Sequence, residues 1–311
     1  MEYITLQNTD LSVSRLCMGG CPMGMYGWGH LCESDLMAAV HTALDHGINF
    51  FDTADVYGLG TSERILGNAL ESRRQDAIIA TKFGVRVENG ISRYDNSPGW
   101  ILHACEASLR RLGTDYIDLY QVHYLDGITD ISCIVDTLKT LQQQGKIRWF
   151  GLSNIQEENI PALIPYQGVF STVQNQYSLA CREQEEALVS LQTQLSLTPL
   201  TWGSLGQGIL TGKYDRTVAF DCSDRRSRST YTNFHGEKLT KNLAIVEVLK
   251  DIAERYHKPV SSVAIRFILD HLKGSCVLCG AKRPEQVIQN VQAMCWKLTD
   301  EELELLKTVS G

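Results

Sequence analysis

Eight short apolar runs alternate with helix-patterned stretches along the whole chain, and this alternation restricts the fold more than any other feature. The runs are RLCMG (15–19), INFFDT (48–53), AIIATK (77–82), IDLYQV (117–122), IRWFGLS (147–153), TVQNQ (172–176), LSLTPLTW (195–202) and SCVLCG (275–280). Near-continuous apolar strands separated by amphipathic helices describe parallel strands covered on both faces. Eight such α/β units are the number that closes a (β/α)8 TIM barrel. A doubly wound sheet competes less well, because the glycine-rich MGGCPMG (18–24) lacks GxGxxG spacing and no helix follows it directly.

The helical stretches carry their own punctuation. SDLMAAVHTALDHG (34–47) has Ser34 as an N-cap and Gly47 as a stop. SERILGNALE (62–71) and PGWILHACEASLRRLG (98–113) follow, the second with Pro98 near its start. YITLQNTDLSVS (3–14) alternates around an NTD turn and reads as an N-terminal β-hairpin capping the barrel floor. The longest connection, 203–274, lies between strands 7 and 8 and holds the polar stretch 215–238 and two helical patterns. It is a loop/helix insertion suited to a cofactor clasp or lid. No Pro-, Gly- or Ser-rich linker divides residues 1–311, so they read as a single domain.

Composition narrows the partners. The net charge is −7 and the densest basic cluster, DRRSR (224–228), is short, which argues against nucleic acid. The N-terminal residues lack a basic region followed by an apolar one, and no apolar run reaches the ~20 residues of a membrane span. Ten scattered cysteines in such a chain suggest reduced thiols and a cytoplasmic location. The pair in CVLC (276–279) has CxxC spacing, but it lies within an apolar strand and has no second CxxC, so we expect no metal there.

In a barrel, the C-terminal strand ends converge on one mouth. Those ends bring Asp52 and Tyr57 after strand 2, Lys82 after strand 3 and His123 after strand 4. The set suits proton delivery to a carbonyl oxygen. A free phenol is a weak acid near pH 7. An ammonium beside it stabilises the phenolate, and a carboxylate such as Asp52 supplies the counter-charge. A histidine positions the substrate oxygen, and a cofactor has to supply the hydride. Asp55 reads as a bystander that hydrogen-bonds within its loop.

FDTADVYG, ATKFG, YIDLYQVH, GLSN, QNQYS, GQGILTGKY and GAKRPEQVIQN stand in the order and spacing of the aldo-keto reductases. The chain resembles that family over essentially its whole length, and most closely its bacterial short-loop, NADPH-dependent members. The resemblance implies a barrel that reduces an aldehyde, ketone or sugar carbonyl with NADPH, or runs the reverse oxidation with NADP+, NADH being the poorer cofactor. It places the catalytic tetrad on Asp52, Tyr57, Lys82 and His123. It places the nicotinamide carboxamide on Ser153, Asn154 and Gln174, and the stacking aromatic on Trp202. Gly20 and Cys21, in the turn after strand 1, belong to the same cofactor-binding set. The pyrophosphate segment falls on Ser204, Leu205, Gly206, Gln207, Gly208 and Lys213. The adenosine end falls on Gly280, Ala281, Lys282, Gln286, Gln289 and Asn290, with Lys282 and Arg283 suited to a 2′-phosphate. Arg226 would close over the cofactor.

Three departures from the pattern stand out. WGSL (202–205) replaces a proline-containing segment, with Ser204 a possible phosphate donor. Gln289 replaces a glutamate, and GWGH (27–30) adds aromatic bulk over the mouth. Substrate choice belongs to the loops, with Tyr26, Trp28, Phe83, Arg86, Tyr94 and Tyr124 as pocket candidates. An NADPH-binding regulatory subunit, as in potassium-channel β subunits, is the alternative reading. A Schiff-base aldolase using Lys82 is a third. The sequence leaves the oligomeric state open.

Overall fold

The computed structural model describes residues 1–311. Eight parallel strands close into a barrel: β3 (Leu16–Gly19), β4 (Phe50–Asp52), β5 (Ile78–Phe83), β8 (Ile117–Val122), β9 (Ile147–Ser153), β10 (Thr172–Gln176), β11 (Thr198–Trp202) and β12 (Cys276–Gly280). They pair in chain order, and β12 closes the ring on β3 through Gly280 opposite Gly19. An antiparallel hairpin of β1 (Tyr3–Thr5) and β2 (Ser12–Ser14) precedes them. Ten helices follow in chain order. They are α1 (Glu33–Asp45), α2 (Thr61–Leu70), α3 (Pro98–Leu112), α4 (Ile131–Gln143), α5 (Ile160–Leu163), α6 (Glu185–Leu195), α7 (Gly236–Tyr256), α8 (Val260–His271), α9 (Pro284–Val291) and α10 (Asp300–Ser310).

The apolar residues divide into two layers. A large one lies between strands and helices. A small one fills the barrel interior, where Leu6, Leu11 and Val13 of the N-terminal segment meet Cys17, Phe50, Ala80, Leu119, Leu200, Cys276 and Leu278. The hairpin region is thus the floor of the barrel. Side chains two residues apart on a strand share a face. The inward positions next above Phe50, Ala80, Leu119, Leu200 and Leu278 are therefore Asp52, Lys82, Gln121, Trp202 and Gly280. A greasy floor passes into a polar mouth within one step of each strand.

Local chemistry moves several boundaries. Helix α1 begins at Glu33, with Cys32 as its N-cap and no side-chain cap, so Ser34 is not the capping residue. Acidic Glu33 and Asp35 face the helix N-terminus instead. Gly47 follows the C-cap at φ +82°, the left-handed conformation that ends a helix. Ser97 caps α3 by accepting from the Trp100 amide. Strand 7 is shorter than its apolar run, because Leu195 ends α6 and Ser196 turns at φ +55°.

The segment after β5 is not a plain loop. β6 (Val85–Glu88) and β7 (Ile91–Tyr94) form a hairpin turning at Asn89 (φ +51°) and Gly90 (φ +78°). That is the Asn-Gly signature of a two-residue turn. The cysteines are all free, and Cys276 and Cys279 are buried in different layers of apolar packing. No helix is long and apolar enough to cross a membrane.

Leu119 sits in the interior layer with no exposed surface. Leu119→Ala should lower the unfolding free energy by about 2–5 kcal/mol, measured by urea titration. A change below about 0.5 kcal/mol would mean that the barrel interior is not close-packed.

Candidate active site

Asp52 is the hub of the mouth. Lys82 Nζ donates to its Oδ1 at 2.6 Å, and Gln174 Nε2 and Gln121 Nε2 donate to Oδ2 at 2.7 and 3.2 Å. Lys82 also donates to the Thr53 carbonyl at 2.9 Å and reaches the Tyr57 hydroxyl at 3.5 Å. Lys82 is 0% and Asp52 2% exposed, so the pair is formed away from water. A buried ion pair tolerates its desolvation only when its remaining valences are filled. The two glutamines and the Thr53 carbonyl do that here.

Tyr57 and His123 meet edge to face with ring centroids 5.9 Å apart. His123 stacks on Tyr124 at 5.0 Å, and Tyr124 on Tyr94 at 4.7 Å. Burial, and then the Lys82 charge, push the imidazole well below its usual range, so it is neutral near pH 7. Its Nδ1 is buried with no partner in the protein. A neutral ring can donate one hydrogen bond to a carbonyl oxygen without first losing a proton.

The phenol departs from the sequence reading. Burial raises the Tyr57 hydroxyl well above 10, the Cys21 and Asp52 charges raise it further, and Arg225 pulls it down. Lys82 was expected to lower it, but its shortest bonds go to Asp52 and Thr53, so the ammonium reaches the phenol already paired. Tyr57 therefore keeps its proton at neutral pH, the form a general acid requires.

One cleft, open to solvent, runs from this mouth across the ends of β9–β12. Ser153, Asn154, Gln174 and Trp202 form a linked amide-rich wall. Ser153 Oγ donates to the Gln174 carbonyl at 2.9 Å. Asn154 Nδ2 donates to the His123 carbonyl at 3.0 Å, and Trp202 Nε1 to Asn154 Oδ1 at 3.2 Å. Further along, Leu205, Gln207, Gly208 and Lys213 line the cleft, with Gln207 and Gly208 in left-handed turns at φ +55° and +105°. At the far end stand Gly280, Lys282, Gln286, Gln289 and Asn290. Lys282 Nζ donates to the Trp28 carbonyl at 2.6 Å, and its amide donates to Gln286 Oε1 at 2.7 Å. Burial, and then the Arg226 charge, bring the Lys282 ammonium down to about 8. Gly20, Cys21, Trp28 and Tyr124 complete the walls near the mouth.

Several expected positions lie elsewhere. Phe83 is fully buried against Tyr120 in the outer core, because it points away from the inward face that Lys82 occupies. Arg86 is drawn by the β6–β7 hairpin to Glu88 and to Asp95 and does not line the cleft. Tyr94 and Tyr26 stay half-exposed outside it, Tyr94 behind Tyr124 and Tyr26 accepting from Arg228. Gly206 is buried against Ile209 and Ala180. Ser204 does line the cleft, but its hydroxyl donates to the Thr201 carbonyl at 2.8 Å. Arg226 is a strut: it grips Asp224 through Nε and Nη2, donates to the Tyr214 hydroxyl at 2.7 Å, and lies over Phe220. Its neighbour Arg225 faces the cleft instead.

Sequence reasoning passed over Arg225, Tyr231 and Gln121. Gln121 was legible, since it stands two residues before His123 and therefore on the same strand face. Asp55 also differs from its expected role. Its Oδ1 is buried without a partner, and burial followed by the Glu63 charge pushes its carboxyl up to about 8. Glu63 itself accepts from Thr81 and Arg111 at 2.6 Å each. A carboxyl raised on folding favours the native state below its unfolded value of ~4 and loses that contribution as pH rises toward about 8. Asp55→Asn should therefore stabilise the protein progressively from pH 4 to pH 8 in thermal melts. A benefit that is the same at both ends would contradict the buried-carboxyl account.

The strand ends of this α/β barrel thus carry a buried Lys–Asp pair, a phenol and an imidazole beside a long cleft lined by glycine turns, lysines and side-chain amides, the arrangement of an oxidoreductase. The comparisons agree. The Aldo/keto reductase family model matches residues 15–310, and the chain belongs to that family. It is 34% identical to the aldo-keto reductase YhdN of Bacillus subtilis (strain 168), covering 99% of this chain and 93% of that protein. Among solved structures, the glycerol dehydrogenase AKR11B4 from Gluconobacter oxydans is 34% identical with a TM-score of 0.88, covering 99% and 94% of the two chains. An aldo-keto reductase from Klebsiella pneumoniae in complex with NADPH is 25% identical with a TM-score of 0.76, covering 100% and 96%.

Proposed function

We propose that the protein reduces an aldehyde, ketone or sugar carbonyl with NADPH, Tyr57 giving the proton and Lys82, Asp52 and His123 organising it. The observation that carries this reading is the hydrogen-bonded line from Asp52 through Lys82 to the Tyr57 hydroxyl at 2.6 and 3.5 Å. A nicotinamide bound in the cleft would supply the hydride to the carbonyl carbon. Donors and acceptors suited to its carboxamide are present on Ser153, Asn154 and Gln174, and Trp202 offers a ring face beside them. Gln174 already donates its side-chain amide to Asp52, which leaves its side-chain oxygen, Oε1, to accept from a ligand amide.

The remaining work falls to the chain. Neutral His123 holds the substrate oxygen by one hydrogen bond. Tyr57 transfers its proton to that oxygen as negative charge develops there. Lys82, standing at the phenol oxygen, stabilises the phenolate left behind. Asp52 keeps the ammonium in place. In the oxidative direction the same tyrosine has to be deprotonated first. Because burial raises it, oxidation gains with alkaline pH whereas reduction does not need it.

Tyr57→Phe should leave NADPH affinity near wild type and cut turnover by roughly 10²-fold or more. Full activity in the variant would remove Tyr57 from the acid role. Lys282 matches a 2′-phosphate better than a 2′-hydroxyl, because it is a half-buried cation with no acidic partner in contact. Lys282→Ala should weaken NADPH far more than NADH, measured by fluorescence titration. For the wild type, NADPH affinity should fall as pH rises above about 8, where the free ammonium loses its proton. Equal losses for both cofactors would refute the assignment.

A further inference from the structure

The cleft is lined by the cations Lys213, Arg225 and Lys282 and by a single carboxylate, Asp52. Asp52 has its oxygens occupied by Lys82, Gln121 and Gln174, so none of the lining cations is neutralised from within the cleft. Lys213 and Lys282 belong with the glycine turns after β11 and β12, where the cofactor phosphates are proposed to lie. Arg225 stands against the loop after β3, between Lys282, which shares the Trp28 ring with it, and Tyr57, whose phenol feels its charge.

That position is fixed by backbone. The Arg225 amide donates to the Gly27 carbonyl at 3.0 Å, and Nη2 donates to the Tyr26 carbonyl. Nη1 reaches Cys21 Sγ at 3.8 Å. The guanidinium lies over the rings of Trp28 and Tyr26 at 5.1 and 5.5 Å. Gly27 adopts φ +69°, and a Cβ there would stand 2.9 Å from Nε, so a glycine is what lets the arginine lie down on this loop. The loop is in turn pressed against the tyrosine: a Cβ on Gly24 would meet the Gly58 nitrogen and the Tyr57 carbonyl carbon at 2.8 Å. The Arg225 charge is felt at the Tyr57 phenol, which it pulls downward.

The same arginine is under-used. It makes no ion pair, and Asp224, its neighbour in the chain, is taken by Arg226. Its Nε is buried with no partner, and its one oxygen acceptor is a neutral carbonyl. A guanidinium without a carboxylate partner, whose Nη1 has only the Cys21 thiol in reach, is a ready anion site. Arg86, the other arginine placed near the mouth by its loop, is unavailable because Glu88 and Asp95 hold it.

Resting on the reductase reading above, we propose that Arg225 recognises an anionic group on the substrate. The preferred carbonyl compounds are then short aldehydes or ketones carrying a carboxylate or a phosphate. The oxyanion docks on the Arg225 guanidinium while the carbonyl oxygen lies between Tyr57 and His123. The aromatic surface of Trp28 covers the carbon chain between them.

The test compares paired substrates with NADPH: 4-oxobutanoate against butanal, and glyceraldehyde 3-phosphate against glyceraldehyde. The wild type should favour at least one anionic member by about 10-fold or more in kcat/KM, and which pair shows it distinguishes carboxylate from phosphate. Arg225→Gln should reduce that anionic-to-neutral ratio by about 10-fold, chiefly through KM, and Arg225→Lys should restore part of it. A wild type that favours the neutral member of both pairs overturns the inference and leaves the reductase reading standing. So does an Arg225→Gln variant whose ratio is unchanged, or whose main loss is in NADPH affinity by fluorescence titration, which would place Arg225 on the cofactor. Inactivity toward every carbonyl despite NADPH binding would sink the reductase reading, and the inference with it.

Discussion

The Lys82–Asp52 pair is the interaction on which the site depends. It forms at 2.6 Å with both side chains out of solvent, where an unpaired charge would cost several kcal/mol. The fold meets that cost with geometry. Adjacent strands β4 and β5 hold Asp52 opposite Ala80, one inward position below Lys82, and β8 and β10 bring Gln121 and Gln174 to the free carboxylate oxygen. None of those groups can rotate away without leaving a buried partner unsatisfied. The pair is therefore rigid, and so is the point from which Lys82 addresses the phenol.

Around that pair the electrostatics divide the work. Burial keeps Tyr57 protonated and His123 neutral, so the mouth holds a phenol in its acid form beside an uncharged imidazole. The protein as a whole carries a net charge of −7, yet the charged residues lining its cleft are mainly cations. Such a local reversal concentrates anions at one place on an otherwise repelling surface. It suits a phosphorylated dinucleotide, and at Arg225 it suits a second anion.

The fold was largely legible in the sequence because parallel strands buried on both faces leave continuous apolar runs. β8, β9 and β10 coincide with theirs. The convergence of Asp52, Tyr57, Lys82 and His123 was legible for a related reason: strand ends in a barrel meet at one mouth, and period two tells which side chains point inward. Other features depended on shorter-range chemistry. The Asn89–Gly90 turn was present as a hairpin signal, yet the loop reading of 83–94 missed it and so misplaced Arg86. Phe83 followed Lys82 by one residue, which is enough to put it on the opposite face. Choosing between Arg225 and Arg226 required knowing which side of the 224–227 turn meets Asp224, and a dipeptide of identical residues carries no such information. The phenol's direction of shift was misread because the sequence shows the cation beside Tyr57 but not the depth of burial.

The central claim is that Tyr57 waits as a buried, protonated phenol beside an already paired ammonium. Ultraviolet difference titration of the wild type against a variant lacking the Tyr57 hydroxyl isolates that one group. The account predicts no phenolate from Tyr57 until the pH passes about 10, the value of a free tyrosine. A Tyr57 phenolate appearing between about pH 7 and 9 would show that the lysine, not burial, governs the hydroxyl, and would contradict it.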